Sequence, residues 1–167
     1  FGKKIRQLLL KDESIRLDSL AELFLFQADR AQHLEEIIRP ALARNALVIC
    51  DRYIHSTLAY QGYGRGLDIA TIKHLNQIAT QSLMPDLVIL LDLDPKLGLM
   101  RAKKRCSQLD RFEQQELAFH QRVHDGFLKM AAENPALFAI IDATLDPNQL
   151  YHNVETIIID KLNELLD

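Results

Sequence analysis

The spacing of apolar positions along the chain predicts helices that alternate with short buried strands. From residue 19 to residue 39, apolar side chains recur every three or four positions, which is typical of an amphipathic helix. Ser19 and Glu22 have the spacing of a capping box at its start, and Pro40 is expected to end or kink it. Short apolar runs without that period predict buried parallel strands at 47–50, 86–93 and 138–141.

Further helical patterns fill the intervals between these runs. They cover residues 69–79, 95–105 and 113–133, and Pro147 is expected to open a last helix. The glycine-rich stretch 62–66 predicts a loop, and Pro85 is expected to close the helix that follows it. Alternating strands and helices predict an α/β fold, a parallel sheet with helices on both faces and right-handed crossovers.

The composition indicates a single domain whose net charge is too small to attract a large charged partner. The 167 residues are 48% apolar, and 20 Lys and Arg nearly balance 23 Asp and Glu. A formal charge of −3 predicts neither a nucleic-acid nor a membrane partner, and the apolar runs are far shorter than the roughly 18 residues of a membrane span. Two cysteines are too few for a disulfide scaffold, so we predict free thiols in a cytoplasmic protein.

Polar residues follow each predicted strand, where parallel sheets bind ligands. Asp51 and Arg52 follow the first strand, and Asp142 with Thr144 follows the third. A carboxylate at this position could hold Mg²⁺ through water, and the neighbouring guanidinium could bind a phosphate through two hydrogen bonds. The alternative is that Asp51 caps a turn and Arg52 pairs with it.

The segment after the first strand favours a nucleotide as the ligand. Residues 51–66 combine a guanidinium, hydroxyl groups, aromatic rings and glycines, a mixture suited to a phosphorylated, ring-bearing molecule. Upstream, Phe26 and Arg30 lie four residues apart on one helical face, where a ring could stack on a base while a guanidinium bonds its edge. The alternative is a core phenylalanine beside a solvated arginine.

A third cluster places five cations within eleven residues, namely Arg101, Lys103, Lys104, Arg105 and Arg111. One interpretation is a solvated helix end. The other is a mobile cover whose cations close over a transferring phosphoryl group, where an inserted arginine is worth about 10³ to 10⁵ in rate. RNA binding is disfavoured because no aromatic residues are interleaved among the cations.

Three segments together resemble the thymidylate kinase family in its bacterial form. They are 25–30 (LFQADR), 51–66 (DRYIHSTLAYQGYGRG) and 109–113 (LDRFE), and 85–87 (PDL) and 141–144 (IDAT) also fit. The resemblance covers nearly the whole chain. It implies a three-layer fold like that of the P-loop nucleoside monophosphate kinases and transfer of a phosphoryl group from ATP to thymidine 5′-monophosphate (dTMP), giving dTDP. It also implies Mg²⁺ as cofactor and a cytoplasmic homodimer.

The resemblance assigns a dTMP site to Phe26, Arg30, Arg52, Thr57, Tyr60 and Gln61. Phe26 would stack on thymine while Arg30 bonds its edge, and Thr57 and Gln61 would complete the base pocket. Arg52 would hold the acceptor phosphate. Tyr60 would lie against the sugar where a ribonucleotide carries its 2′-hydroxyl.

The same resemblance assigns the remaining roles to a lid at about 101–113 and to the strand ends. Catalytic cations would be Arg101, Lys103 and Arg105, and Asp110 and Glu113 would meet the nucleotide when the lid closes. Asp51 would act on Mg²⁺ through water. Asp142 and Thr144 would pass near adenine together with Arg105.

One departure from the family concerns the phosphate loop. The family's first strand and its Gly-x-x-x-x-Gly-Lys-Ser/Thr loop have no match in these 167 residues, and the lid is one residue longer at 107–108. We therefore expect residues 1–167 to be a single, N-terminally incomplete kinase domain that lacks the first strands and is inactive alone. The alternatives are a non-catalytic nucleotide-binding remnant, and a related nucleoside or nucleotide kinase with a different base preference.

Overall fold

A computed structural model describes residues 1–10, 17–105 and 110–166. The helices are α1 (Gly2–Leu10), α2 (Ser19–His33), α3 (Arg39–Leu42), α4 (Ile54–Thr57), α5 (Ile69–Thr80), α6 (Pro95–Arg105), α7 (Leu117–Glu133) and α8 (Pro147–Leu166). Two π-helical segments extend them: Leu34–Ile38 joins α2 to α3, and Leu58–Gly64 continues α4. The strands are β1 (Val88–Asp92) and β2 (Phe138–Asp142).

The two strands form a parallel pair, as the α/β pattern predicts. Their register runs from Val88 opposite Phe138 to Asp92 opposite Asp142, so the two aspartates end the strands side by side. Helices α7 and α8 both pack against β2. The predictions of the second and third strands, of the helix 95–105 and of the helix opened by Pro147 are therefore confirmed.

The predicted strand at 47–50 is wrong. The segment has no regular secondary structure and pairs with no other described segment, and Leu47 and Ile49 are 58% and 78% exposed. An apolar, β-branched run favours extended backbone, but a strand also needs a neighbour to satisfy its N–H and C=O groups. In the described part of the chain, β1 pairs only with β2, and no third strand borders this segment.

The first long helix differs from its prediction at both ends. Its N-cap is Asp18, whose side chain accepts a hydrogen bond from the Leu20 amide, while Glu22 is buried rather than part of a capping box. Pro40 does not end the helix, because the π-helical turn immediately before α3 places it in a first turn, where a missing N–H costs little.

The predicted glycine loop at 62–66 is mostly helical. The helical backbone continues to Gly64, and only Gly66, with a φ of +80°, needs the left-handed conformation. A β-carbon on Gly64 would lie 2.7 Å from the Phe119 ring. The absence of a side chain there permits close packing of this segment on α7.

Two further boundaries depart from their predictions. Helix α5 ends at Thr80, before Pro85 is reached, and its C-cap Gln81 adopts the left-handed conformation. Helix α7 begins at Leu117 rather than at residue 113, because the Asp110 carboxylate accepts hydrogen bonds from the amides of Phe112 and Glu113 and closes a turn. The short helices α1 and α4 were not predicted.

The core lies where α2, the π-helical segment Leu58–Gly64, α5 and α7 meet. Buried apolar side chains from all four elements contact each other there, including Leu23, Leu58, Ile72, Phe119 and Val123. None of the helices in the described ranges combines the length and hydropathy that a membrane crossing requires.

His55 of α4 makes the stability of this core sensitive to acid. The residue is 9% exposed and its ring lies 5.0 Å from that of Phe138, edge to face. Burial, and then the charge of Arg30, lower the pKa of His55 from 6.5 to about 4. Because the unfolded chain takes up a proton first, the free energy of unfolding should fall as pH drops from about 6.5 to 4, by at most about 1.4 kcal/mol per pH unit.

Urea unfolding of the wild type and of His55→Asn between pH 4 and pH 7 measures this contribution. The variant should be less stable at pH 7 because packing is lost, but its stability should depend less on pH. Parallel pH curves for the two proteins would contradict the assignment.

Candidate functional site

Two helical segments face each other beside the core, and each contributes side chains spaced four residues apart. Helix α2 contributes Glu22, Phe26 and Arg30, and the continuous helical segment from α4 contributes Thr57 and Gln61. The two segments run in opposite directions: Arg30 Nη2 donates to Thr57 Oγ1 at 2.7 Å, and Gln61 Nε2 donates to Glu22 Oε1 at 2.8 Å. The spacing of α2 puts Phe26 between these two polar contacts.

Arg30 is held by four protein acceptors. Its Nη1 donates to Gln27 Oε1 at 3.0 Å and Asn76 Oδ1 at 3.2 Å, and its Nη2 donates to the Tyr53 carbonyl at 3.2 Å besides Thr57. Burial lowers the pKa of Arg30 to about 10, so the guanidinium stays charged at neutral pH. The alternative of a solvated arginine is wrong, because these acceptors fix the group inside the site.

An aromatic wall continues the site from Phe26 toward Arg52. The Phe112 ring lies 6.0 Å from the Phe26 ring and 5.5 Å from the Tyr60 ring, and the Arg52 guanidinium lies 5.0 Å from the centre of the Tyr60 ring. Phe26 and Tyr60 are only partly buried. The four residues Phe26, Arg30, Arg52 and Tyr60 therefore border one region.

Arg52 is exposed, and its backbone adopts a φ of 70°. A non-glycine residue in this conformation carries strain, of the kind that accumulates at binding sites. In the described part of the chain, no ion pair joins Arg52 to Asp51, so the alternative of a local turn with a paired arginine is wrong. The Arg52 guanidinium lies over the Tyr60 ring, and its N–H groups donate to no acceptor in the described part of the chain.

Arg65 ties this wall to α2. It forms an ion pair with the buried Glu22 carboxylate, with Nη2 to Oε2 at 3.2 Å, and its guanidinium lies 5.6 Å and 4.9 Å from the centres of the Phe112 and Phe119 rings. Its Nη1 donates to Gln115 at 2.9 Å. Arg65 thus contacts both Glu22 of α2 and the Phe112 ring, and helps to hold this ring in place.

The cations predicted to belong to a lid, Arg101, Lys103 and Arg105, lie in the C-terminal half of α6. Arg105 donates to Glu113 Oε1 at 2.7 Å, and Glu113 Oε2 accepts from the Asp110 amide at 3.0 Å. Lys103 is exposed on α6. Residues 106–109, which carry the longer lid at 107–108, lie outside the described residues.

The strand ends form a second region, beside a groove of about 440 Å³ between the end of β2 and α8. Arg101 lines it and donates from Nη1 to the Ala143 carbonyl at 2.9 Å. Asp142 accepts a 2.7 Å hydrogen bond from the Thr144 amide, and bonds from Thr144 lower the pKa of Asp142. The structure thus brings Arg101, Asp142 and Thr144 to one end of the sheet.

Asp51 is an exposed carboxylate directly after the segment 47–50. In the described ranges no three His, Cys, Asp or Glu side chains converge as a metal cage. A single carboxylate suits Mg²⁺, which keeps several waters and takes other oxygens from substrate phosphates. The residues present therefore fit a magnesium ion that a nucleotide shares.

Sequence reasoning missed several side chains that build the site. Glu22 and Asn76 are buried at its base, and Phe112 connects the lid to the aromatic wall. The four-residue step from Glu22 to Phe26 was visible in the sequence and could have placed the carboxylate on the same face. His124, whose Nε2 lies 2.7 Å from Asp92 Oδ1 at the end of β1, has no local pattern that marks it.

Comparison with known proteins adds family information to this geometry. A family model described as thymidylate kinase matches residues 1–154. The thymidylate kinase of Solidesulfovibrio magneticus is 51% identical over 153 residues, which cover 88% of this chain and 73% of that protein. The thymidylate kinase of Trichodesmium erythraeum is 47% identical over 165 residues, which cover 98% of this chain and 72% of that protein.

A solved structure is similar as well. The crystal structure of thymidylate kinase from Ehrlichia chaffeensis aligns with a TM-score of 0.66 at 36% sequence identity. The alignment covers 83% of this chain and 66% of that one, so the chain spans about two thirds of the length of the solved relative.

Proposed function

Because the chain belongs to the thymidylate kinase family, we propose that its protein transfers a phosphoryl group from ATP to dTMP and produces dTDP. The observation that carries this proposal is the convergence of Phe26, Arg30, Arg52 and Tyr60 on one region. Phe26 and the fixed cation Arg30 suit a base, the ring of Tyr60 suits a sugar, and the exposed cation Arg52 suits a phosphate.

The acceptor site assigns one part of dTMP to each side chain. Phe26 stacks on thymine, Arg30 bonds its edge, and Thr57 and Gln61 complete the base pocket. Tyr60 lies against the sugar, where an added 2′-hydroxyl would meet its ring. This steric element supplements an apolar pocket, which by itself rejects an added hydroxyl only about 10²-fold.

Arg52 holds the acceptor phosphate. Its exposed guanidinium, braced on the Tyr60 ring at 5.0 Å, can offer two parallel N–H donors to phosphate oxygens. Fixing the acceptor oxygen in line with the donor phosphate removes translational and rotational freedom before the reaction begins.

The lid and the strand ends serve the phosphoryl donor. Arg101, Lys103 and Arg105 supply positive charge to the transferring group, and Asp110 and Glu113 meet the nucleotide as the lid closes. Phosphoryl transfer needs little proton chemistry from the protein, so positioning and charge stabilisation supply the rate.

The remaining assignments concern adenine and Mg²⁺. Asp142 and Thr144, with Arg105, lie along the path of adenine, for which the groove beside Arg101 has room. Asp51 would hold Mg²⁺ through water, and the ion would neutralise phosphate charge when bound.

We further propose a three-layer arrangement of the P-loop nucleoside monophosphate kinase type, a single domain, and a cytoplasmic homodimer. The parallel pair β1–β2 with helices packed on it supports the layered sheet. Exposed apolar side chains on α2, Leu20 at 45% and Phe24 at 51%, support a covered helix face in a dimer.

A coupled assay of nucleotide phosphorylation tests the activity directly. With ATP and Mg²⁺, the full-length protein should phosphorylate dTMP with a kcat/KM at least tenfold above that for uridine or adenosine monophosphate. A preference for either ribonucleotide would overturn the substrate assignment. Binding of dTMP without turnover would favour a nucleotide-binding protein instead.

A further inference from the structure

We propose that Glu22 is a positioning residue that fixes the Gln61 amide with its oxygen toward the base site, and so selects a base that carries a hydrogen on N3. This inference rests on the proposed function, since it concerns the base pocket of the same site. In this proposal the buried Glu22 carboxylate, which does not contact the phosphate, determines the discrimination between thymine and cytosine.

The orientation of the Gln61 amide follows from the chemistry of its partner. The Glu22 side chain is 3% exposed, and its carboxylate accepts hydrogen bonds from Arg65 Nε at 3.3 Å and Arg65 Nη2 at 3.2 Å. An ionised carboxylate only accepts hydrogen bonds, so the amide group that faces it at 2.8 Å must be the NH₂ of Gln61. The opposite rotamer would bring the amide oxygen against a carboxylate oxygen in a buried place, which is repulsive.

Locking Nε2 on Glu22 leaves the amide oxygen for a ligand. Gln61 is 1% exposed, and its Oε1 accepts no hydrogen bond from any described group. Gln61 Oε1 is not among the fully buried side-chain polar atoms without a partner, of which the described part of the chain holds one, His120 Nε2. An acceptor with no protein donor is free to bind a donor of the ligand.

The position of Gln61 puts this oxygen in the base pocket. Gln61 follows Thr57 by one helical turn, and Thr57 bonds Arg30, while Phe26 lies between the two polar contacts that join the helices. A base stacked on Phe26 therefore has its edge toward Gln61. Thymine and uracil present an N–H donor at N3, whereas cytosine presents an unprotonated acceptor there, which would oppose Gln61 Oε1.

The variant Glu22→Gln tests this selectivity in the full-length protein. A neutral amide at residue 22 accepts either orientation of Gln61, so the pocket can adapt to a base with an acceptor at N3. Isothermal calorimetry with dTMP, dUMP and dCMP should show that the ratio of the dCMP to the dTMP dissociation constant falls about tenfold or more in the variant. The ratio for dUMP against dTMP should stay unchanged, because both bases carry the N3 hydrogen.

Arg65→Lys is the matched control. It removes the guanidinium hydrogen bonds and lowers stability, as Glu22→Gln does, but it keeps a cation beside the Glu22 carboxylate, which therefore stays an acceptor that orients the amide. We expect it to retain the preference of the wild type for dTMP over dCMP. An equal loss of preference in both variants would overturn the proposal, because the guanidinium contacts and not the carboxylate would then set the selectivity.

The outcomes distinguish a failure of the proposed function from a failure of the role of Glu22. If the wild type binds no dTMP, the proposed function fails. If the wild type prefers dTMP and Glu22→Gln prefers it equally, the function stands and the role of Glu22 is refuted. Should Glu22→Gln not fold, hydrogen exchange of the Gln61 side-chain amide in the wild type decides, since the proposal requires slow exchange and rapid exchange would refute it.

Discussion

Replacing Arg52 with alanine is expected to lower kcat/KM for dTMP by about 10³-fold or more, the range that a phosphate-directed arginine supplies in phosphoryl transfer. The guanidinium is exposed, has no ion pair with Asp51 and is braced on the Tyr60 ring. Its removal takes away the bidentate grip on the acceptor phosphate. Steady-state kinetics with ATP in excess measure the loss.

The same substitution should leave the fold intact. Arg52 contributes no hydrogen bond from its side chain to the described protein, so the free energy of unfolding should change by less than about 1 kcal/mol. Arg44→Ala removes another exposed cation, on the turn after α3, and serves as the control with unchanged kinetics. A kcat/KM within tenfold of the wild type for Arg52→Ala would remove Arg52 from the acceptor site.

Unlike Arg52→Ala, Arg30→Ala should cause a large loss of stability, together with weaker dTMP binding. The variant leaves the oxygens of Thr57, Asn76 and Gln27 without the cation that they share. Each of these partly buried acceptors that is left unpaired costs about 1 to 3 kcal/mol. Urea unfolding at pH 7 measures the stability, and calorimetry with dTMP measures the affinity.

Arg39→Ala is the control for this experiment. Arg39 pairs with Glu35 at 3.1 Å, with side chains 46% and 54% exposed, and exposed pairs contribute about 0 to 1 kcal/mol. A loss for Arg30→Ala no larger than that of Arg39→Ala would contradict the buried network. Undiminished dTMP affinity would show that Arg30 is a structural residue only.

The fold was predictable where local sequence alone decides it. The helix at 95–105 and the strand at 138–142 follow from periodicity and from prolines that mark an end. The segment at 47–50 has equally good strand composition and fails, because pairing depends on a neighbour that composition does not reveal. Gly62 and Gly64 indicated a loop, yet they serve close packing inside a helical segment, which is a tertiary reason.

The residues that the sequence proposes for the acceptor site lie near one another in the structure, whereas the side chains that support them were not predicted. Phe26 and Arg30 share a helical face by spacing alone, and the structure brings them to Arg52 and Tyr60. The carboxylate of Glu22 fits a capping pattern equally well, so only the tertiary position of Gln61 and Arg65 reveals its buried contacts. Asn76, one acceptor of Arg30, lies 46 residues away in sequence and leaves no local signal.

A crystal structure of the full-length protein with dTMP tests the central claim most directly, namely that one site binds the whole nucleotide. We predict the thymine ring stacked on Phe26 with its edge toward Arg30 and Gln61, the sugar against Tyr60, and the phosphate within hydrogen-bond distance of Arg52. A nucleotide bound in the groove beside Arg101 and α8, with Phe26 and Arg52 both free of contact, would contradict the account.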